Sequence, residues 1–153
     1  MENFHIDSLD RKILSIIKKN ARTPFLEVGR LCDVSGAAVH QRVQRLIKEG
    51  IITGAEFVID PKKVGYLTCS YIGIFLEKAS MFKSVVERLE QIPEIVECHY
   101  TTGNWSIFMK IYAKTNEHLR DILTELQSIP GVSRTETFIS LEESFKRQLP
   151  VEK

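Results

Sequence analysis

The sequence predicts an α+β protein built in two parts: three short helices, then a β-α-β-β-α-β array. Three observations carry this. Helix caps alternate with apolar stripes through residues 1–53, a later segment repeats itself at an offset of 37 residues, and positive charge gathers in the first part. With 153 residues the chain has room for two small domains. Hydrophobic residues at 43% and charged residues at 27% place it among folded rather than disordered proteins. No apolar run approaches the roughly 20 residues of a membrane span. The opening Met1-Glu2-Asn3-Phe4-His5 lacks the basic and apolar regions of a secretory leader. A cytoplasmic protein with no membrane partner is expected. Cys32, Cys69 and Cys98 show neither CxxC nor Cys/His ligand spacing, so they read as reduced thiols and no metal or cofactor is expected.

In the first part, Asp7 and Asp10 cap a helix start, and Leu9, Ile13, Ile16 and Ile17 form its apolar stripe. Thr23 reads as the next N-cap with Pro24 at the first helical position. That second helix, Pro24 to Cys32, turns Val28 and Leu31 inward. Ser35 caps a third helix on which Val39, Val43, Leu46 and Ile47 recur at helical spacing, and Gly50 suits a left-handed C-cap. Between the last two helices, Gly29 removes a side chain and Asp33 tolerates a left-handed turn. Together these make a winged-helix-like helix-turn-helix.

The polar face of the third helix matches what a major groove can read. Gln41 and Gln44 pair with adenine, Arg45 with guanine or phosphate, and Ala37 touches a thymine methyl. The DNA-facing set is Arg22, Ser35, Gly36, Ala37, His40, Gln41, Arg42, Gln44, Arg45 and Lys48. Charge agrees in sign: residues 1–53 hold nine bases against six acids, a net +3, which leaves −2 for the remaining 100 residues. A solvated amphipathic helix would show the same periodicity.

Ile51 to Ile59 reads as a strand and Asp60-Pro61 as a turn, so residues 54–66 form a linker between domains 1–53 and 67–153. The repeat follows. Leu89-x-x-Ile92-Pro93-x-Ile95 matches Leu126-x-x-Ile129-Pro130-x-Val132, and Ile72-x-Ile74 matches Met109-x-Ile111. Each copy is strand, helix, strand, and two in tandem give the ferredoxin-like fold. Strands are expected at Thr68–Glu77, Ile95–Thr102, Trp105–Ala113 and Val132–Leu141, with helices at Ser80–Gln91 and Asn116–Ser128. Gly103-Asn104 reads as a hairpin turn. Alternation puts Ile72, Ile74, Ile107, Met109 and Ile111 under the helices. Tyr71, Phe75, Phe108 and Tyr112 then lie on the other face, expected to be exposed in a monomer and covered by a second copy. The N-terminal domain folding back over it is the alternative.

Taken in order, several motifs resemble the Lrp/AsnC family of feast/famine transcription regulators. They are Leu9-Asp10-Arg11-x-Ile13-Leu14, Asn20-Ala21-Arg22, and Ser35-x-x-x-Val39-x-x-Arg42-Val43-x-x-Leu46 running into Gly50-Ile51-Ile52. In the second part they are Glu97-Cys98-His99, Thr102-Gly103 and Gly131-Val132-x-x-Thr135-x-Thr137. The match runs from about Ile6 to Glu143 and looks closest to the asparagine-responsive AsnC branch. The resemblance implies double-stranded DNA binding by a homodimer assembled further into an octamer. It also implies a free amino acid, asparagine or another small polar one, bound between dimers. Carried onto this chain, the effector contacts are Tyr100, Thr101, Thr102, Gly103, Asn104, Thr135, Glu136 and Thr137. Where many relatives have Gly-x-x-Asp, this chain has Gly103-Asn104-Trp105-Ser106. Ser106 is neutral, which leaves backbone carbonyls or Glu136 for a ligand ammonium.

Two other readings stay open. An effector-independent DNA-architectural protein fits the same residues. An enzyme built on Cys98 and His99 fits poorly, because adjacent strand residues point to opposite faces; no catalytic residue is expected.

Overall fold

The computed structural model describes residues 5–151; the leader reading on Met1 to Phe4 lies outside them. The described residues form two compact units, one made of residues 5–58 and 145–151, the other Ile59–Ser144. The final stretch therefore belongs with the helical unit, whereas the sequence grouped it with residues 67–153.

The helical unit contains α1 (Ser8–Ile17), α2 (Phe25–Cys32) and α3 (Gly36–Lys48). Asp7 and Asp10 close a full capping box on α1: each carboxylate accepts the other residue's backbone N–H, at 2.8 and 3.1 Å. Asp33 ends α2 with φ 59°, and Gly50 follows α3 with φ 70°, so both left-handed positions fall where the side chains allow them. A Cβ on Gly29 would sit 2.6 Å from the Val34 carbonyl oxygen. That glycine is what lets the turn fold back onto α2. The core is Ile13, Val28, Cys32, Val39 and Val43, flanked by Leu9, Ile16, Ile17 and Phe25.

Three expectations fail here. Pro24 is itself the N-cap of α2, at φ −58° and ψ 139°, while the Thr23 hydroxyl donates back to the Asn20 carbonyl. Leu31 is 64% exposed and Ile47 47% exposed, because Gly29 and Cys32 face the core with Val28, and Leu46 takes the buried place on α3. Residues 53–60 form no strand, and Phe57, Val58 and Ile59 are exposed. A strand needs a hydrogen-bonding neighbour, and no described segment pairs with this one.

The second unit is ferredoxin-like. It runs β1 (Thr68–Leu76), α4 (Phe82–Leu89), β2 (Ile95–Tyr100), β3 (Ile107–Ala113), α5 (Asn116–Ser128) and β4 (Val132–Ser140), in one sheet ordered β2-β3-β1-β4. Its three strand pairings are all antiparallel. The internal repeat has a geometric counterpart: Ile72 and Met109, 37 apart, are direct ladder partners at the centre of β1 and β3. Val85 and Ile122, Leu89 and Leu126, and Ile92 and Ile129 are likewise equivalent, and all are buried against the sheet. Helix α4 begins later than expected, since Ala79–Met81 forms a 3₁₀ turn first.

Candidate DNA interface and effector region

On α3 the exposed row is Ala37, His40, Gln41, Gln44 and Lys48, joined by Ile47. Ser35 starts the helix with its hydroxyl accepting the Ala38 N–H at 3.1 Å. A Cβ on Gly36 would lie 3.2 Å from Leu26 Cα, so α2 and α3 meet closely there. His40 packs edge-on against Phe25, ring centroids 5.8 Å apart. Arg22 is exposed, and its guanidinium stands over the Phe57 ring at 5.7 Å. Helix, turn and helix thus present a short polar row for groove reading.

Arg42 and Arg45 are placed differently from the sequence expectation. Both turn toward α1. Arg42 pairs with Asp7 and, at 3.2 Å, with Asp10; Arg45 pairs with Asp10 and, at 3.6 Å, with Glu49. The Asp10 side chain is fully buried. The Asp10 backbone N–H, followed by Arg42, lowers the Asp7 carboxyl to about 2. Nothing in helical periodicity marks Asp10 as a buried ion-pair partner.

The second unit's sheet has two unlike faces. Under the helices lie Ile72, Ile74, Ile107, Met109 and Ile111, all fully buried. On the other face Tyr71 stacks on Phe108 at 5.8 Å, and the Arg134 guanidinium covers Phe75 at 4.1 Å. Tyr71, Phe75, Phe108 and Tyr112 are each half-buried within a single chain, where exposure was expected. Sequence reading also missed Lys110, which is 5% exposed at the centre of this face. Its ammonium lies 5.4 Å from the Tyr112 ring and 5.8 Å from the Tyr71 ring, with Glu143 at 3.7 Å. Burial opposes that charge, yet the Tyr112 hydroxyl and the neighbouring Tyr71 outweigh it, and the Lys110 pKa ends above its ordinary value.

Trp105 is not a core residue. Its ring lies flat across Gly73 on this same second face, between Phe108 and Phe138. The indole N–H donates to Glu136 at 2.9 Å, and Arg134 holds the other Glu136 oxygen at 3.3 Å. Gly103 is not left-handed, so Gly103-Asn104 does not make the tight two-residue turn. A longer loop joins β2 to β3 instead, closed by the Thr101 N–H on the Ser106 carbonyl at 3.1 Å and by the Thr101 hydroxyl on the Trp105 carbonyl. Ser106 donates its backbone N–H to Ile74. Thr102, Gly103 and Asn104 are exposed, and their backbone N–H groups meet no acceptor among the described residues.

The eight effector contacts expected from the resemblance, with Ser106 as a ninth candidate, do not all converge in one chain. Tyr100 ends β2 at one sheet edge, packed on Phe82, while Thr135 and Thr137 lie on β4 at the opposite edge. Thr135 and Thr137 pair with Ile74 and Ile72 and so share the helix side, whereas Glu136 pairs with Gly73 on the other side. Only Glu136 reaches the loop, through Trp105. Cys98 and His99 stand opposite Met109 and Phe108 and so point to opposite faces. Burial pushes the Cys98 thiol upward, with Glu90 adding to it, away from a reactive thiolate.

Comparison with known proteins agrees with both units. Residues 6–53 match the winged helix-turn-helix DNA-binding family, and residues 69–150 match the Lrp/AsnC ligand binding domain. The chain is 42% identical over 146 residues to Regulatory protein AsnC of Haemophilus influenzae, covering 95% of this chain and 97% of that one. The solved structure of E. coli AsnC superposes with a TM-score of 0.91 at 37% identity, covering 96% of this chain and 99% of the other. A feast or famine regulatory protein of M. tuberculosis, solved in complex with L-methionine, superposes with a TM-score of 0.90 at 26% identity, covering 95% and 99%. With a winged helix-turn-helix in one unit and an Lrp/AsnC ligand binding domain in the other, the chain belongs to the Lrp/AsnC family of DNA-binding transcription regulators.

Proposed function

We propose that this regulator binds double-stranded DNA as a homodimer through Ser35, Gly36, Ala37, His40, Gln41, Gln44 and Lys48. Arg22 adds phosphate contact, and Arg42 and Arg45 support α3 from behind. A free amino acid, asparagine first, binds at the Thr101–Ser106 loop and changes assembly. The observation that carries the effector reading is the loop itself. It offers unpaired backbone N–H groups for a carboxylate beside Glu136, the acidic group that Trp105 holds there. Asn104 adds an amide that can exchange hydrogen bonds with a side-chain amide. Because Thr135 and Thr137 lie across the sheet from Tyr100, a site using both sets takes them from two copies, which supports a ligand bound between dimers. The dimer itself is assigned to the face of Tyr71, Phe75, Phe108 and Tyr112, with Lys110 and Glu143 paired within it.

Calorimetry with each amino acid at millimolar concentration tests the effector reading. Binding is expected for asparagine in the parent and lost in Gly103→Val, which should keep the fold because a Cβ there meets nothing within 4 Å. No binding of any amino acid by the parent would leave the effector-independent architectural reading in its place.

A further inference from the structure

The reading helix carries two arginines and two glutamines, and the structure treats them oppositely. Gln41 and Gln44 stand exposed, with no side-chain hydrogen bond among the described residues. Arg42 and Arg45 are half-buried against α1 and Glu49, each in at least two ion pairs. The centre of that arrangement is Asp10. Its Oδ1 accepts from Arg42, and its Oδ2 accepts from Arg45 and from the Asp7 backbone N–H.

We propose that Asp10 determines the base preference of this regulator: by holding Arg45, together with Arg42, against α1, it leaves base reading to Ala37, His40, Gln41 and Gln44. The proposal rests on α3 being the DNA-reading helix. Swinging Arg45 into the groove would strip one of two cations from a carboxylate whose side chain is fully buried, and leaving a buried charge short of a partner is disfavoured. The glutamines meet no such obstacle. Their amides suit the N6/N7 edge of adenine, and Ala37 suits the thymine methyl, whereas the bidentate reading of guanine belongs to arginine or lysine. The base pairs that Ala37, Gln41 and Gln44 contact in the half-site are therefore A·T, and Asp10 acts as a positioning residue one helix away from the DNA.

Selection of bound duplexes from a random pool, using the full chain, tests this. The parent should select A·T pairs at the contacted positions. Gln41→Ala and Gln44→Ala should each lose one such preference, with binding to the parent site weakened roughly 5- to 150-fold. Arg45→Lys keeps a cation on Asp10 and should leave the selected sequence unchanged. Asp10→Asn should acquire a G·C preference that disappears on adding Arg45→Met, a change that a merely structural role for Asp10 would not produce. A parent that requires a G·C pair, with that requirement lost in Arg45→Met, overturns the proposal. So does an Asp10→Asn protein that folds and selects the parent's sequence. If Asp10→Asn does not fold, the glutamine and Arg45→Lys variants decide. Parent-like affinity and sequence in all three of those would overturn the reading of α3 itself.

Discussion

Gly73→Ala is the sharpest test of how the loop between β2 and β3 is seated on the sheet. A Cβ at Gly73 would lie within 2.6 Å of three Trp105 ring atoms, closer than carbon atoms approach without displacement. Gly73 is not in a left-handed conformation, so alanine fits the backbone, and in a strand it should gain about 0.5–1 kcal/mol from reduced unfolded-state freedom. Against this stands overpacking, typically about 1–3 kcal/mol, and weakening of the Trp105 to Glu136 hydrogen bond, about 0.5–1.5 kcal/mol and more because the acceptor is charged. The net expectation is destabilisation by about 1–3 kcal/mol. Trp105 is the sole tryptophan, so fluorescence reports this residue and no other. Its emission should shift to the red as the ring leaves the sheet. In a Trp105→Ala background the same glycine substitution should be neutral or stabilising, a difference a double-mutant cycle isolates. Unchanged emission together with equal or greater stability of Gly73→Ala would refute the placement of the indole.

Three further outcomes are expected. Gly29→Ala drives a Cβ to 2.6 Å from the Val34 backbone oxygen, where no side chain can yield; urea unfolding should show a loss of about 1–3 kcal/mol, confined to the helical unit. The lowered Asp7 pKa stabilises the fold above the ordinary carboxylate range, and that contribution is lost as pH falls from about 3.8 toward about 2. Acid unfolding of Asp7→Asn should accordingly show a shallower pH dependence in that window. Phe108→Glu places a carboxylate against Tyr71 and Trp105 on the proposed dimer face; sedimentation should report monomer or aggregate, and an intact dimer would assign the interface elsewhere.

Much of this protein was legible in the chain because its signals are local or periodic. A capping box needs residues three apart, a left-handed turn needs Asp33 or Gly50, and an amphipathic helix shows its own spacing. None of these depends on a contact between distant parts of the chain. The offset of 37 residues carried more, since a duplicated strand-helix-strand unit can bury both helices only by pairing its copies about a centre, here Ile72 against Met109. The bounds of α5, Asn116–Ser128, follow from Thr115 as a capping hydroxyl on the His118 N–H.

Tertiary structure decided the rest, because long side chains and unpaired strands take their place from what lies opposite. Arg45 on a polar helix face reads as a base contact until Asp10 appears beside it from α1, 35 residues earlier. Nothing in the sequence marks Lys110 as buried; Tyr71, Tyr112 and Glu143 close around it only in the folded chain. Trp105 opens the expected strand Trp105–Ala113, and alternation alone does not say what its ring meets; a bare Gly73 on the neighbouring strand gives the flat ring a floor and Glu136 gives its N–H an acceptor. The β-branched and aromatic run through Phe57, Val58 and Ile59 has the composition of a strand, but composition supplies only half of a ladder. Hydrogen bonds come from a neighbouring segment, and which segment that is, or whether one exists, is not a local property of the sequence.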